Sequence, residues 1–379
     1  MQLRAQLRMV AFLALGMACG PSAQVPVPPV ATYPTLVGQT APSLDGALTW
    51  FNGPALKLEE LRGKVVLLQF FDYSCINCIR TYPYLIEWDH RYSALGLQII
   101  GVHAPQYEFS TDPANVLASV RRYNLAYPIA VDSHLQIAGV YSNRFWPRQL
   151  ILDRQGVVRF DHTGEGGYAD AEKMIQTLLR EVNPTAKLPT LVPPVHDFDM
   201  LGAVCYPATP ELYLGRLRGQ LANPEVTSTN AIIQFHQPES RVEGKVYATG
   251  DWSVHDEYMR HAVDKEHLDD CLTVKYRATE VNIVMKPESI YWMQVFVEQD
   301  GHPLRKEIAG SDIRYDAEGR SFVRVDAARM YNVIDKQPYG QSEIRFSVRG
   351  QGLSVYSFSF GTCAMPKGAD TFRPAKESE

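Results

Sequence analysis

The sequence carries no excess of positive charge. Its 379 residues hold 37 Lys and Arg against 42 Asp and Glu, a formal net charge of −5. Without residues 1–18, which contain Arg4 and Arg8 and no acid, 35 basic and 42 acidic residues remain, a net −7. A surface of that sign repels phosphate backbones, so no nucleic-acid partner is expected. No apolar run beyond the N-terminus reads as membrane-spanning. Cysteine is sparse, with six residues and a single Cys-x-x-Cys. That spacing excludes a four-cysteine zinc site, and no metal is expected. The glycine-rich run Gly164-Glu165-Gly166-Gly167 lacks the lysine of a phosphate-binding loop and reads as the loop before a helix. Internal repeats are also absent.

The N-terminus reads as a targeting segment. Arg4 and Arg8 form a basic region, and Met9 to Met17 a short apolar one. Gly16-Met17-Ala18-Cys19 then resembles a bacterial lipobox with Cys19 as the lipidated residue; ordinary signal cleavage is the alternative. Both readings export the chain to the periplasm or cell envelope, where structural disulfides are permitted. Residues 19–36, rich in Pro, Val and Ala, read as an extended tether.

From residue 37 to 182 strands alternate with helices. Strands are expected at 64–71, 97–103, 128–131, 149–153 and 157–162, and helices at 75–92, 115–123, 135–141 and 169–181. A short hairpin is expected at 44–51. Such alternation implies a mixed α/β sheet with helices on both faces. Residues 183–199 hold four prolines and read as a linker. From 200 to 363 the texture becomes all-β: short runs at 226–237, 241–249, 271–277, 281–285, 291–298, 321–325, 343–348 and 355–360, separated by Gly, Pro, Asp and Asn, suggest a β-sandwich. Residues 364–379 are polar and read as a disordered tail. Cys205, Cys271 and Cys363 leave room for one internal bridge among three pairings. Cys205 precedes the first strand of this region and Cys363 follows its last, and domain termini often lie together, so Cys205–Cys363 is the expected pair.

The most informative segment is Lys64-Val-Val-Leu-Leu-Gln-Phe-Phe71 followed by Asp72-Tyr73-Ser74-Cys75-Ile76-Asn77-Cys78. A buried strand, a short turn and two cysteines opening a helix place a dithiol at a helix N-terminus. Unpaired backbone N–H groups there favour a thiolate on Cys75, the attacking nucleophile. Cys78, one turn later, resolves the mixed disulfide.

Several segments carry a resemblance: Tyr73-Ser74-Cys75-Ile76-Asn77-Cys78-Ile79-Arg80-Thr81-Tyr82-Pro83-Tyr84-Leu85, Gly101-Val102-His103-Ala104-Pro105, Asp112-Pro113-Ala114-Asn115-Val116, Asn143-Arg144-Phe145-Trp146-Pro147 and Gly164-Glu165-Gly166. These resemble thioredoxin-fold thiol–disulfide oxidoreductases of the TlpA/ResA type, and more narrowly the exported part of DipZ-type proteins. The similarity continues through Thr209-Pro210-Glu211-Leu212-Tyr213-Leu214-Gly215 and Gly250-Asp251-Trp252-Ser253-Val254. It implies a thioredoxin-like domain followed by a jelly-roll domain like carbohydrate-binding modules. It also implies a redox-active Cys75–Cys78 disulfide with no other cofactor, disulfide-containing envelope proteins as partners, and a cis Trp146-Pro147 bond beside the dithiol. Tyr73, Asn77, Trp146 and Pro147 are the expected substrate contacts. The membrane electron-conducting domain that often precedes this part in DipZ-type proteins has no counterpart here, so a separate membrane thiol donor is expected.

The resemblance also exposes two substitutions. Where thioredoxins carry a buried Asp, this chain has Gln69; where ResA-like proteins carry a Glu, it has Gln106. An amide cannot accept a proton, so His103 and Glu108 become the alternative proton-relay candidates. In the β-rich part, Tyr213, Trp252, Tyr291 and Trp292 could stack on a glycan, and a protein ligand is the alternative. Two competing functions follow: a thiol peroxidase, whose expected Pro is missing before Cys75, and an envelope glycan- or protein-binding protein with a minor redox site.

Overall fold

The computed structural model describes residues 35–226, 230–288 and 291–364. The expected signal segment, Cys19, the tether up to residue 34 and the tail from residue 365 lie outside them. The first part is built on a six-stranded sheet in the order β1-β4-β3-β2-β5-β6. Its strands are β1 (Thr49–Phe51), β2 (Val65–Phe71), β3 (Leu97–His103), β4 (Ile129–Val131), β5 (Arg148–Leu152) and β6 (Val158–Thr163). β2, β3 and β4 run parallel, whereas β1, β5 and β6 are antiparallel to their neighbours. β2 is central because Val-Val-Leu-Leu-Gln-Phe-Phe is buried at every position, as a strand covered on both faces requires. At Gly101 on β3 an added Cβ would sit 2.6 Å from the Ile129 side chain and 2.9 Å from Phe71, so only glycine fits.

Helices α1 (Ile76–Tyr92), α2 (Pro113–Arg122) and α4 (Tyr168–Val182) bury an aromatic-rich layer on one face, including Tyr82, Trp88, Tyr92, Val116 and Ile175. Helix α3 (Gln136–Val140) and the 3-10 turn Leu58–Leu61 cover the other face. The start of α2 follows from its sequence: Asp112 caps it by accepting from the Ala114 amide at 2.8 Å, with Pro113 in the first turn. The hairpin expected at 44–51 is not formed. Only Thr49–Phe51 is a strand, and it pairs with β4, whose residues follow some eighty positions later.

The segment 183–199 is clamped rather than free. The Val192 amide donates to Glu172, the Val195 amide to the Tyr84 hydroxyl, and Gln176 to the Pro189 carbonyl. Beyond it lies an all-β antiparallel sheet of thirteen strands. The strand Val246–Val254 changes partners at Gly250. Residues 246–249 pair with Cys271–Ala278, and residues 250–254 with Ile232–Phe235 and Met259–His261. Gly250 has φ +92°, and an added Cβ would meet the Asp270 carboxylate. Strands such as Met259–His261 and Arg329–Ile334 were not expected from the sequence. The bridge expected between Cys205 and Cys363 forms; the two are cross-strand partners in a small two-stranded sheet. Cys271 is buried with a free thiol.

The described residues from Leu36 onward form one compact unit. Tyr107 and Phe109 pack on Tyr356, and Tyr258 packs on Tyr356 from the β-rich part. The Arg218 guanidinium lies over both Tyr107 and Tyr213. Val284, Met330 and Tyr356 thereby join the core of the α/β part.

Candidate active site

β2 delivers the chain to the turn Asp72–Ser74, where the Cys75 amide donates to the Asp72 carbonyl at 3.1 Å. Cys75 is the N-cap of α1, with an extended backbone (φ −86°, ψ 118°). Its thiol is half-buried and donates to the Trp146 carbonyl at 3.7 Å. The Trp146-Pro147 bond is cis. The Trp146 indole N–H donates to the Ala104 carbonyl at 2.8 Å, tying this loop to the end of β3. Pro147 is buried and Trp146 and Asn77 are half-buried, so Trp146 and Asn77 are the expected contacts with accessible surface.

Cys78 is fully buried and also a free thiol. Burial pushes its pKa well up; the hydrogen bond with Cys75 and the negative charge of Asp72 push the same way, and a hydrogen bond from the Asp72 amide partly opposes them. The pair is therefore asymmetric: one thiol reaches the surface and the other is sealed beneath it.

The sequence-predicted relay residues separate. Gln69 is fully buried below the dithiol. Its amide donates to Thr81 Oγ1 at 3.3 Å, Thr81 donates to the Cys78 carbonyl at 2.7 Å, and Gln69 Oε1 has no hydrogen-bond partner. Gln106 contributes its main chain, which donates to Asp72 Oδ2 at 2.8 Å. Glu108 does not approach the dithiol. It is exposed on the 3-10 turn Glu108–Thr111, and its amide donates to Glu257 of the β-rich part. His103, at the end of β3, is fully buried.

Tyr73 corrects the sequence reading. It is 2% exposed and stacked on His103, with Phe109 against its edge, so it is core rather than a substrate contact. Trp252 is likewise 1% exposed, with His261 against its ring, and is unavailable for stacking on a sugar. Tyr213 is half-buried beneath Arg218, whereas Tyr291 and Trp292 are exposed. Glu165 pairs with Arg80.

Two residues escaped sequence reasoning. Asp72 is a fully buried carboxylate in the active-site turn; its signal was the Asp-x-Ser pattern of an Asx-turn at a strand end. Arg80, on α1, binds Glu165 at 2.9 Å and also Glu280 of the β-rich part. Beside it a cleft of about 970 Å³ opens between the two parts, from Ile76 and Ile79 on the dithiol helix to Tyr339 and Cys363. Among the described residues no three His, Cys, Asp or Glu side chains are grouped to hold a metal ion, and no helix is long and apolar enough to cross a membrane.

Comparison with known proteins agrees with this geometry. Residues 37–161 match the sequence profile of the AhpC/TSA family, and residues 209–361 that of the thioredoxin like C-terminal domain. The chain is 32% identical over 333 residues to protein DipZ of Mycobacterium tuberculosis, an alignment covering 85% of this chain and 43% of DipZ. The chain thus spans less than half the length of that relative. It is 27% identical over 143 residues to thiol-disulfide oxidoreductase YkuV of Bacillus subtilis, covering 38% of this chain and 96% of YkuV. It is 28% identical over 148 residues to thiol-disulfide oxidoreductase ResA of Bacillus cereus, covering 39% of this chain and 79% of ResA. With a dithiol at the head of α1 and a cis-proline loop beside it, the α/β part has a thioredoxin-like fold and is similar to thiol–disulfide oxidoreductases of the TlpA/ResA type.

Proposed function

We propose that the chain is an exported thiol–disulfide oxidoreductase that exchanges or reduces disulfides in envelope proteins through Cys75 and Cys78. The observation that carries this reading is the asymmetry of the two thiols: Cys75 half-buried at a helix N-terminus, Cys78 sealed behind it. Cys75 attacks one sulfur of a substrate disulfide, and the other substrate sulfur leaves as a thiolate. Cys78 then attacks Cys75, releasing the reduced substrate and leaving a Cys75–Cys78 disulfide. A separate membrane thiol donor returns the two electrons. The Trp146 carbonyl beside Cys75 offers a main-chain acceptor to an extended substrate segment. The N-terminal segment with Cys19 supports export and anchoring at the envelope, and the exposed Tyr291 and Trp292 support a protein or glycan ligand for the β-rich part.

The test is trapping. Cys78→Ser is expected to accumulate mixed disulfides with envelope proteins, and Cys75→Ser to accumulate few. Equal trapping by both variants overturns the assignment. Consumption of peroxide with no reduction of insulin disulfides would instead favour a thiol peroxidase.

A further inference from the structure

We propose that the cleft between the dithiol helix and the β-rich part seats an extended polypeptide segment of the substrate, leading away from the cysteine that Cys75 attacks, and that Asp335 selects a Lys or Arg on that segment. The inference rests on the exchange chemistry proposed above and adds the chemistry of the substrate.

The cleft starts beside the dithiol. Ile76, the residue next to Cys75, lines it together with Ile79 and Arg80. These three stand three and four positions apart on α1 and so share one face. The Ile79 amide donates to the Cys75 carbonyl at 3.0 Å, a helical bond that puts Cys75 at the edge of the same face. A chain joined to the Cys75 sulfur therefore has this face beside it. The facing wall comes from the β-rich part, with Glu280, Met330, Asp335 and Tyr339. The volume of about 970 Å³ lies at the upper end of the range for ligand sites. Ile76, Ile79 and Met330 offer apolar contact along it.

The charges on the walls pair off with one remainder. Arg80 pairs with Glu280, Arg122 with Asp312 at 3.4 Å, and Lys336 with Asp197 at 3.5 Å. His196 turns its Nε2 to the Arg80 carbonyl at 2.9 Å. Among the described residues Asp335 is the one acid lining the cleft that has no cation within 4 Å. Strand register fixes its place. Val281 pairs with Ile334 across the antiparallel strands Glu280–Pro287 and Arg329–Ile334, so Glu280 and Asp335 come side by side at the strand ends. Burial raises the pKa of the half-buried Asp335 carboxyl, and the charge of Glu280 pushes the same way. A cation brought by the substrate offsets both. An uncharged glycan offers this carboxylate none, whereas a Lys or Arg side chain does.

The span sets where that side chain stands. Arg80 is five residues beyond Cys75, about 7.5 Å along the helix axis. Adding the reach of the Arg80–Glu280 pair and the step to the neighbouring strand puts Asp335 on the order of 15–20 Å from Cys75, the length of about five extended residues.

The experiment uses short peptides whose single cysteine is held as a mixed disulfide with nitrothiobenzoate, with one Lys, Gln or Glu about five residues away on either side. The Cys75 thiolate attacks the peptide sulfur, a new S–S bond forms, and nitrothiobenzoate leaves with the electron pair as a coloured thiolate. Stopped flow follows its release by the reduced full chain. Each rate is divided by that for the mixed disulfide of mercaptoethanol with nitrothiobenzoate, which has no chain to reach the cleft. On one of the two sides the Lys peptide is expected to react about 5-fold faster than its Gln counterpart, with the Glu peptide slower still. The preference should fade in high salt. Asp335→Asn should remove it, and Asp335→Lys should reverse it in favour of Glu. Equal rates for Lys and Glu peptides in the native protein overturn the proposal, whether a glycan or residues 365–379, which follow Ala364 on the rim, fill the cleft instead. That comparison stands independent of how the variants fold. A Lys preference that survives Asp335→Asn overturns the proposal as well. Failure of the mercaptoethanol compound to react overturns the exchange reading and this inference with it, whereas reaction without preference overturns the inference alone.

Discussion

Arg80, on the dithiol helix, is ion-paired to Glu280, at the start of the strand Glu280–Pro287 in the β-rich part. Glu165, on the turn before α4, completes a triad on the same guanidinium. The Arg80 and Glu280 side chains are only 12% and 14% exposed, so the pair is largely out of water. Breaking such a pair from one side leaves a buried charge, which costs more than the intact pair contributes.

Arg80→Met is therefore expected to destabilise the fold by about 3–5 kcal/mol. Urea denaturation followed by fluorescence measures this as a lower midpoint at similar slope. Adding Glu280→Gln to Arg80→Met should recover part of the loss, because it removes one of the stranded charges. A midpoint unchanged by Arg80→Met would show that water screens the triad.

The Cys205–Cys363 bridge closes a sequence separation of 158 residues. Replacing both by Ser should lower stability by roughly 2–5 kcal/mol while leaving insulin-disulfide reduction intact. Cys271, buried on the strand Cys271–Ala278, should resist alkylation until the protein unfolds. Non-reducing peptide mapping checks both, and a bridge to Cys271 would contradict the structure.

Acid should weaken the fold through His103. Burial depresses its pKa in the folded state, so between that value and the ordinary one near 6.5 the unfolded chain binds the extra proton. Its contribution is present above about pH 6.5 and is lost as pH falls, at up to ~1.4 kcal/mol per pH unit. Glu165, whose carboxyl burial pushes up, acts in the opposite sense at lower pH. His103→Asn should flatten the stability profile just below neutrality, as measured by urea midpoints from pH 7.5 to 5. An unchanged slope would mean that another group titrates there.

What the sequence made legible were local signals. β2 declared itself by a fully apolar run that stops at a turn, and α2 by the cap Asp112-Pro113. The bridge was legible because Cys205 and Cys363 flank the β-rich strands. Features set by distant contacts were not legible. Thr49–Phe51 finds its partner only in β4. Arg329–Ile334 reads as a loop because Arg329 and Asn332 are polar, yet both bind Asp312 from the neighbouring turn. Tyr73, next but one to a surface cysteine, reads as exposed until His103 and Phe109 close over it. Asp72 reads as a turn residue because the segment that buries it, Gln106 to Ser110, returns more than thirty residues later.

The shared strand Val246–Val254 bears on how the β-rich part comes apart. Because residues 246–249 serve one set of strands and residues 250–254 another, neither set can peel away without unzipping the same backbone. The hinge at Gly250 thus predicts that the interior amides of the two subregions exchange with solvent in one cooperative opening, which hydrogen exchange would check.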